Sequence, residues 1–303
     1  MENHTAKHFV LQLSSLICLY LSLSFLVVLA FGVINILYPD AANGYWETES
    51  AIDSVRIGIA VLVVFFPAYL ILTRTVNKSR RVNSGGVYLS FTKWLIYLSL
   101  LISGLVLLGD LVTVIMTFLN GEITERFILK ALTVLLVVGG AFYYYILDAR
   151  GYWIKNEKKS VYYAVAAGVL VVAAVILGFT QIDTPSTVRE QKLDEVQIND
   201  LRMIQSNIQQ YYVLNKTLPD NLEALQEFGT PPQAPEDRPA YRYNKIENGF
   251  ELCATFSQPS RNNEPYMEYS APIDRTTFIL NPDNWQHKEG EACFKRAIEE
   301  LPN

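Results

Sequence analysis

Asp110 and Lys130 are the lone charges inside two long apolar stretches, Trp94–Leu119 and Phe127–Leu147. A charge in hydrocarbon costs a few kcal/mol or more unless paired, so each is a candidate for function. The turn between the stretches centres near Asn120-Gly121, with Asp110 ten or eleven residues before it and Lys130 nine or ten after. In an antiparallel hairpin the two reach one depth, which predicts a buried ion pair locking the hairpin. An ion or proton path through the same groups is the other reading. Arg56, near the outer end of the second apolar segment, is a further candidate member of the cluster. No repeated arginine spacing of a voltage sensor is present.

Cys253 and Cys293 are the other reactive pair, both in the polar carboxy-terminal third, while Cys18 sits in the first apolar stretch as packing. An even pair in an oxidising compartment reads as a disulfide, with two buried thiols as the alternative. No CxxC accompanies them, and His287 is the only histidine in that region, so no metal site is expected. No GxSxG, HExxH, Walker loop or dinucleotide fingerprint occurs. The acidic residues there are spaced as solvated faces rather than as an acid and base. Neither catalytic residues nor a cofactor are expected, and the chain reads as a non-enzyme.

The elements that carry these residues follow from composition. Charged residues make up 18% of the 303, apolar residues 50%, and mean hydropathy is +0.17, unlike an ordinary soluble or disordered protein. Up to Thr180 there are 13 basic against 10 acidic residues, and beyond it 12 against 20. No basic face remains to neutralise phosphates, so nucleic acid is excluded as a partner. Five segments, about 9–38, 55–74, 92–119, 126–148 and 160–182, are apolar and long enough to span roughly 30 Å of hydrocarbon. Pro67 predicts a kink or a short crossing in the second. The first is twice the length of a signal core and is expected to remain uncleaved.

Lysines and arginines fix the orientation. Arg74, Lys78, Arg80, Arg81 and Lys93 fill one linker, and Arg150, Lys155, Lys158 and Lys159 another. Lys7 lies in the amino-terminal tail. The alternate loops are acidic, with Asp40, Glu47, Glu49 and Asp53 in one and Glu122 and Glu125 in the other. The basic side is therefore expected to be cytoplasmic. Residues after about 183 are then extracytoplasmic, in a multi-pass protein of the inner membrane. Tyr143, Tyr144, Tyr145, Tyr152, Trp153, Tyr162 and Tyr163 cluster at headgroup level beside the second basic linker. Ala164 with Gly168, and Ala174 with Gly178, have the small-xxx-small spacing that brings helices close. Packing within the bundle is expected ahead of homo-oligomer formation through the same residues, and Ser99 and Ser103 repeat the spacing on the third helix.

The chain thus divides into a transmembrane bundle, 1–182, and an extracytoplasmic α+β domain, 183–303. In the latter, Leu193, Val196, Leu201, Ile204, Ile208 and Tyr211 predict a long amphipathic helix ending at Asn215-Lys216. Leu218–Leu225 predicts a short helix capped by Asp220 or Asn221, and Gly229–Pro239 a proline-rich loop. Tyr241–Tyr243 and Phe250–Phe256 predict a hairpin joined by Glu247-Asn248-Gly249, with Thr276–Leu280 a third strand. A long helix packed on a small antiparallel sheet follows. On the second hairpin strand, Cys253 falls opposite the face carrying Phe250, Leu252, Ala254 and Phe256.

Arg189, Asp194, Leu201, Ile204, Tyr211-Tyr212, Leu218-Pro219-Asp220 and Leu222–Leu225 resemble the post-membrane helix and following loop of type IV pilins and pseudopilins. The strand Glu251-Leu252-Cys253-Ala254 with a late cysteine is similar to pilins that tie a carboxy-terminal loop by a disulfide. The resemblance covers about 110 residues and implies a pilin-like head. Gly178-Phe179-Thr180-Gln181-Ile182-Asp183 mimics a prepilin cleavage string but follows the hydrophobic run instead of preceding it. The chain is therefore not expected to be a processed filament subunit. Residues 1–180 resemble a bacterial multi-helix membrane-domain family of unknown function. Together these features lead to an envelope protein displaying its head to a protein partner, with a small transporter or channel using Asp110 and Lys130 as the alternative.

Overall fold

The computed structural model describes residues 2–39, 45–82, 87–121, 124–260, 277–279 and 284–300. Asp40, Glu122, Thr276 and Leu280, used in the reading above, lie outside them. Two compact units form, Met1–Ile182 and Asp183–Asn303.

The first unit is entirely helical among the described residues. It comprises α1 (Glu2–Leu37), α2 (Tyr45–Val82), α3 (Val87–Leu119), α4 (Glu125–Ala149), the one-turn α5 (Tyr152–Lys155) and α6 (Glu157–Phe179). All but α5 are long and apolar enough to cross a membrane. The second apolar segment lies within a longer helix than its apolar run: α2 continues unbroken through Pro67 for 38 residues. Local signals set the ends of α4. Thr124 caps its start by accepting from the Phe127 N–H at 3.2 Å, and Gly151 (φ 70°) supplies the left-handed turn into α5.

The α1–α2 pair is the closest packed. A Cβ on Gly58 would lie 2.8 Å from Leu29 Cβ, and one on Gly32 would lie 2.9 Å from the Ala51 carbonyl oxygen. Leu29, Val33, Val55, Ile59 and Leu62 fill the core around this approach.

The second unit opens with α7 (Pro185–Asn215). Thr184 caps it, Pro185 occupies its first turn, and Lys216 ends it in the left-handed region at φ 55°. Its buried residues are Asp194, Gln197, Ile198, Leu201, Ile204, Gln205, Asn207 and Ile208; Val196, placed on the apolar stripe by spacing, is exposed instead. A 3-10 helix follows at Leu222–Phe228, with Asn221 accepting from the Ala224 N–H at 3.0 Å. Strands β1 (Arg242–Ile246), β2 (Gly249–Phe256), β3 (Thr277–Ile279) and β4 (Gly290–Glu300) form an antiparallel sheet of order β1-β2-β4-β3.

The β1–β2 turn is Glu247-Asn248, since Ile246 pairs with Gly249. Gly249 (φ 157°) is required there because a Cβ would collide with the Arg296 carbonyl oxygen of β4. Strand β4 lies between β2 and β3, in a segment that hydropathy marks as weak. Phe250, Leu252, Ala254 and Phe256 face α7 across a core that also holds Trp285 and Phe294.

Candidate functional site

The expected Asp110–Lys130 pair does not form. Lys130 Nζ lies 5.6 Å over the Phe31 ring of α1, and Asp110 has no ion pair among the described residues. Helix ends account for this. Helix α3 stops at Leu119 but α4 starts only at Glu125, so Asp110 lies nine residues inside its helix and Lys130 five inside its own. At about 1.5 Å per residue the offset is about 6 Å, a full turn. Azimuth adds to it, because Lys130 and Arg126 share one face of α4 and both turn toward α1. Arg56 does not join them either; it pairs with Asp53 on its own helix at 3.1 Å.

Two polar clusters that sequence spacing did not single out hold the bundle at its two ends. In one, Arg126 of α4 donates its Nε–H to Asn35 Oδ1 of α1 at 3.0 Å and pairs with Glu47 of α2. In the other, Arg80 Nη1 of α2 meets both carboxylate oxygens of Asp148 at 2.9 and 3.0 Å, and donates to Asn77 Oδ1 at 3.3 Å. The Arg80 and Asp148 side chains are 5% and 7% exposed, so this is a buried ion pair across two helices. The only sequence signal is an acid, Asp148, at the edge of a basic linker.

Beside that pair the aromatic residues stack as a layer. Tyr144 lies 5.0 Å from Trp153 and 5.3 Å from Tyr163, and Trp153 Nε1–H donates to the Tyr144 carbonyl at 3.0 Å. Tyr152 extends the layer to Trp153, and its hydroxyl accepts from Lys159 Nζ at 2.9 Å. Below the layer a cavity of ≈ 320 Å³ opens between α1, α2, α4 and α6. Leu23, Phe66, Tyr69, Leu136, Ala167 and Val171 are among its walls, and Asp110, Lys130 and Arg56 are not. Ala174 and Gly178 pack inside the bundle, with Gly178 against Leu29 and Ile59; Ala164 is half-buried, and Gly168 has open space where a Cβ would stand.

In the second unit a disulfide joins Cys253 and Cys293, which are direct partners on β2 and β4. Both lie on the sheet face away from the α7 core. Glu251 stands beside them, but bonded sulfurs are not thiolates and cannot ligate a metal.

Asp194 of α7 anchors the far end of β2. It pairs with Arg238 at 3.0 Å and accepts from the Ser257 and Gln258 N–H groups at 3.0 and 2.8 Å. Arg296 points into the core from β4, its guanidinium 4.3 Å from the Trp285 ring and its Nε–H donating to Gln205 Oε1 at 2.7 Å. Burial, then the nearby Asp220, pushes the Tyr243 hydroxyl up to about 12. Burial and the hydrogen bond to Asp200 also raise Tyr241. Lys245 holds the Asp220 carboxyl below its usual range.

These features define a bundle of five long apolar helices joined in sequence to a disulfide-bonded α+β unit. The profile of a family described as a domain of unknown function, DUF5671, matches residues 8–145, that is α1 through most of α4. No curated protein matches the chain, and no solved structure does.

Proposed function

We propose that this chain is a multi-pass protein of the bacterial inner membrane that holds a pilin-like, non-catalytic head outside the membrane for docking to an envelope protein. The Cys253–Cys293 disulfide carries the reading, because such bonds persist in oxidising compartments and the pair lies beyond the fifth apolar helix. Charge asymmetry points the same way. Arg74, Lys78, Arg150, Lys155 and Lys158 have no carboxylate partner among the described residues and mark the cytoplasmic side. The long α7 laid on an antiparallel sheet, with a late strand fastened by the disulfide, supports the pilin-like reading. Asp110, unpaired within α3, favours a second reading as a small transporter or channel. The cavity weighs against that reading, since its walls are apolar and exclude Asp110.

The test is crosslinking in intact cells from a photoreactive residue placed at the exposed Met203 of α7, followed by purification from the membrane. A discrete crosslinked partner that disappears when residues 183–303 are removed is expected. An assembly of unchanged size and composition after that removal would refute the docking role.

A further inference from the structure

We infer that the cavity between α1, α2, α4 and α6 holds one acyl chain of an anionic phospholipid whose headgroup rests on the basic rim at Lys155, Lys158 and Lys159. The inference rests on the reading that these helices cross a bilayer. Its volume, ≈ 320 Å³, lies at the lower end of small-ligand sites, about 300–1,000 Å³. Leucine, valine, alanine and phenylalanine make up most of its walls; of the polar groups there, Ser22 donates to the Cys18 carbonyl at 2.7 Å and Tyr163 to the Gly140 carbonyl at 2.6 Å, and Tyr69, Tyr144 and Tyr145 also line it. Walls of this composition favour an apolar occupant. From Tyr163 to Val171 the cavity follows eight residues of α6, about 12 Å at 1.5 Å per residue. That length runs along the helix axes, the direction in which a lipid's hydrocarbon chain lies.

Charge selects the headgroup. Beside the aromatic layer, Arg80 is neutralised by Asp148 and Arg81 by Glu157. Lys155, Lys158 and Lys159 remain exposed with no acid partner among the described residues. Lys159 lies one turn above Tyr163 on the same helix. Its ammonium sits 5.4 Å over the Tyr152 ring, which in turn packs on Trp153 and so on the cavity wall at Tyr144. An anionic phosphate at that level meets uncompensated lysines while its chain enters directly below.

Native mass spectrometry of the full chain, titrated in detergent with dioleoyl phosphatidylglycerol or dioleoyl phosphatidylcholine, tests this. One phosphatidylglycerol is expected to remain bound at collision energies that strip phosphatidylcholine. Ala167→Leu, which fills the cavity, is expected to weaken retention about tenfold. The surface variant Lys155→Gln/Lys158→Gln/Lys159→Gln, with no core to disturb, is expected to abolish the preference for phosphatidylglycerol. Equal retention of the two lipids by the native chain, or undiminished retention by a folded Ala167→Leu, overturns the inference. Membrane recovery of the chain separates the two claims. Recovery away from membranes would sink the bilayer reading itself, whereas a membrane-bound chain without lipid preference sinks only this site.

Discussion

Replacing Arg80 by methionine leaves Asp148 buried and without its cation. The pair is made by two contacts, 2.9 and 3.0 Å, between side chains only 5% and 7% exposed. Neither charge has water to fall back on. Breaking such a pair from one side costs about 3–5 kcal/mol, because the abandoned charge pays its desolvation without compensation. Asp148→Leu is expected to cost as much, since it strands Arg80 beside Asn77. The double variant Arg80→Met/Asp148→Leu removes both penalties and is expected within about 1 kcal/mol of the native chain, given that apolar replacement of a buried pair is often neutral. The coupling free energy is then several kcal/mol. Equilibrium unfolding in mixed micelles, followed by near-ultraviolet circular dichroism from the neighbouring Tyr144–Trp153 stack, measures all four corners. Single variants that cost less than 1 kcal/mol, or a double variant that costs the sum of the singles, would refute the reasoning.

Three further outcomes follow from named contacts. Gly58→Ala drives a methyl to 2.8 Å from Leu29 Cβ and 3.1 Å from its Cα; it is expected to cost about 1–3 kcal/mol in the same unfolding assay, while Gly168→Ala, with open space, stays within about 0.5 kcal/mol. Asp194→Ala removes the acceptor of the Ser257 and Gln258 amides, while Arg238 keeps Glu190, so hydrogen exchange at those two amides is expected to accelerate by a factor matching about 1–3 kcal/mol. Raised tyrosine hydroxyls make the head alkali-sensitive: the unfolded state releases its protons near pH 10, before Tyr243 does at about 12, so head stability is full below about pH 10 and falls between 10 and 12. Tyr243→Phe is expected to flatten that fall in a pH series of melting temperatures.

Long uniform signals were legible in the sequence. Five apolar runs announced five helices, and period-two alternation announced the Arg242–Phe256 hairpin along with the face on which Cys253 lies. Strand β4 was not legible, for a specific reason. Its inward residues are Ala292, Phe294, Arg296 and Ile298, and the charge at the third of these positions breaks the apolar alternation. Arg296 is tolerated there because Trp285 and Gln205, distant in sequence, receive it. The Asp110–Lys130 expectation failed similarly. Counting from a turn gives depth only roughly and azimuth not at all, and both are set by where α4 begins. Arg80 and Asp148 are 68 residues apart, and each sits at a helix end where a charge looks unremarkable.

The central claim, that the head and the basic linkers lie on opposite sides of a membrane, is tested most directly by thiol labelling in spheroplasts. In a Cys18→Ser background, single cysteines are introduced at exposed Glu223 in the head (Glu223→Cys) and exposed Lys158 in the linker (Lys158→Cys). A membrane-impermeant maleimide is predicted to label Glu223→Cys in intact spheroplasts, and Lys158→Cys only after permeabilisation. Labelling of Lys158→Cys alone in intact spheroplasts, or of both equally, would contradict the account.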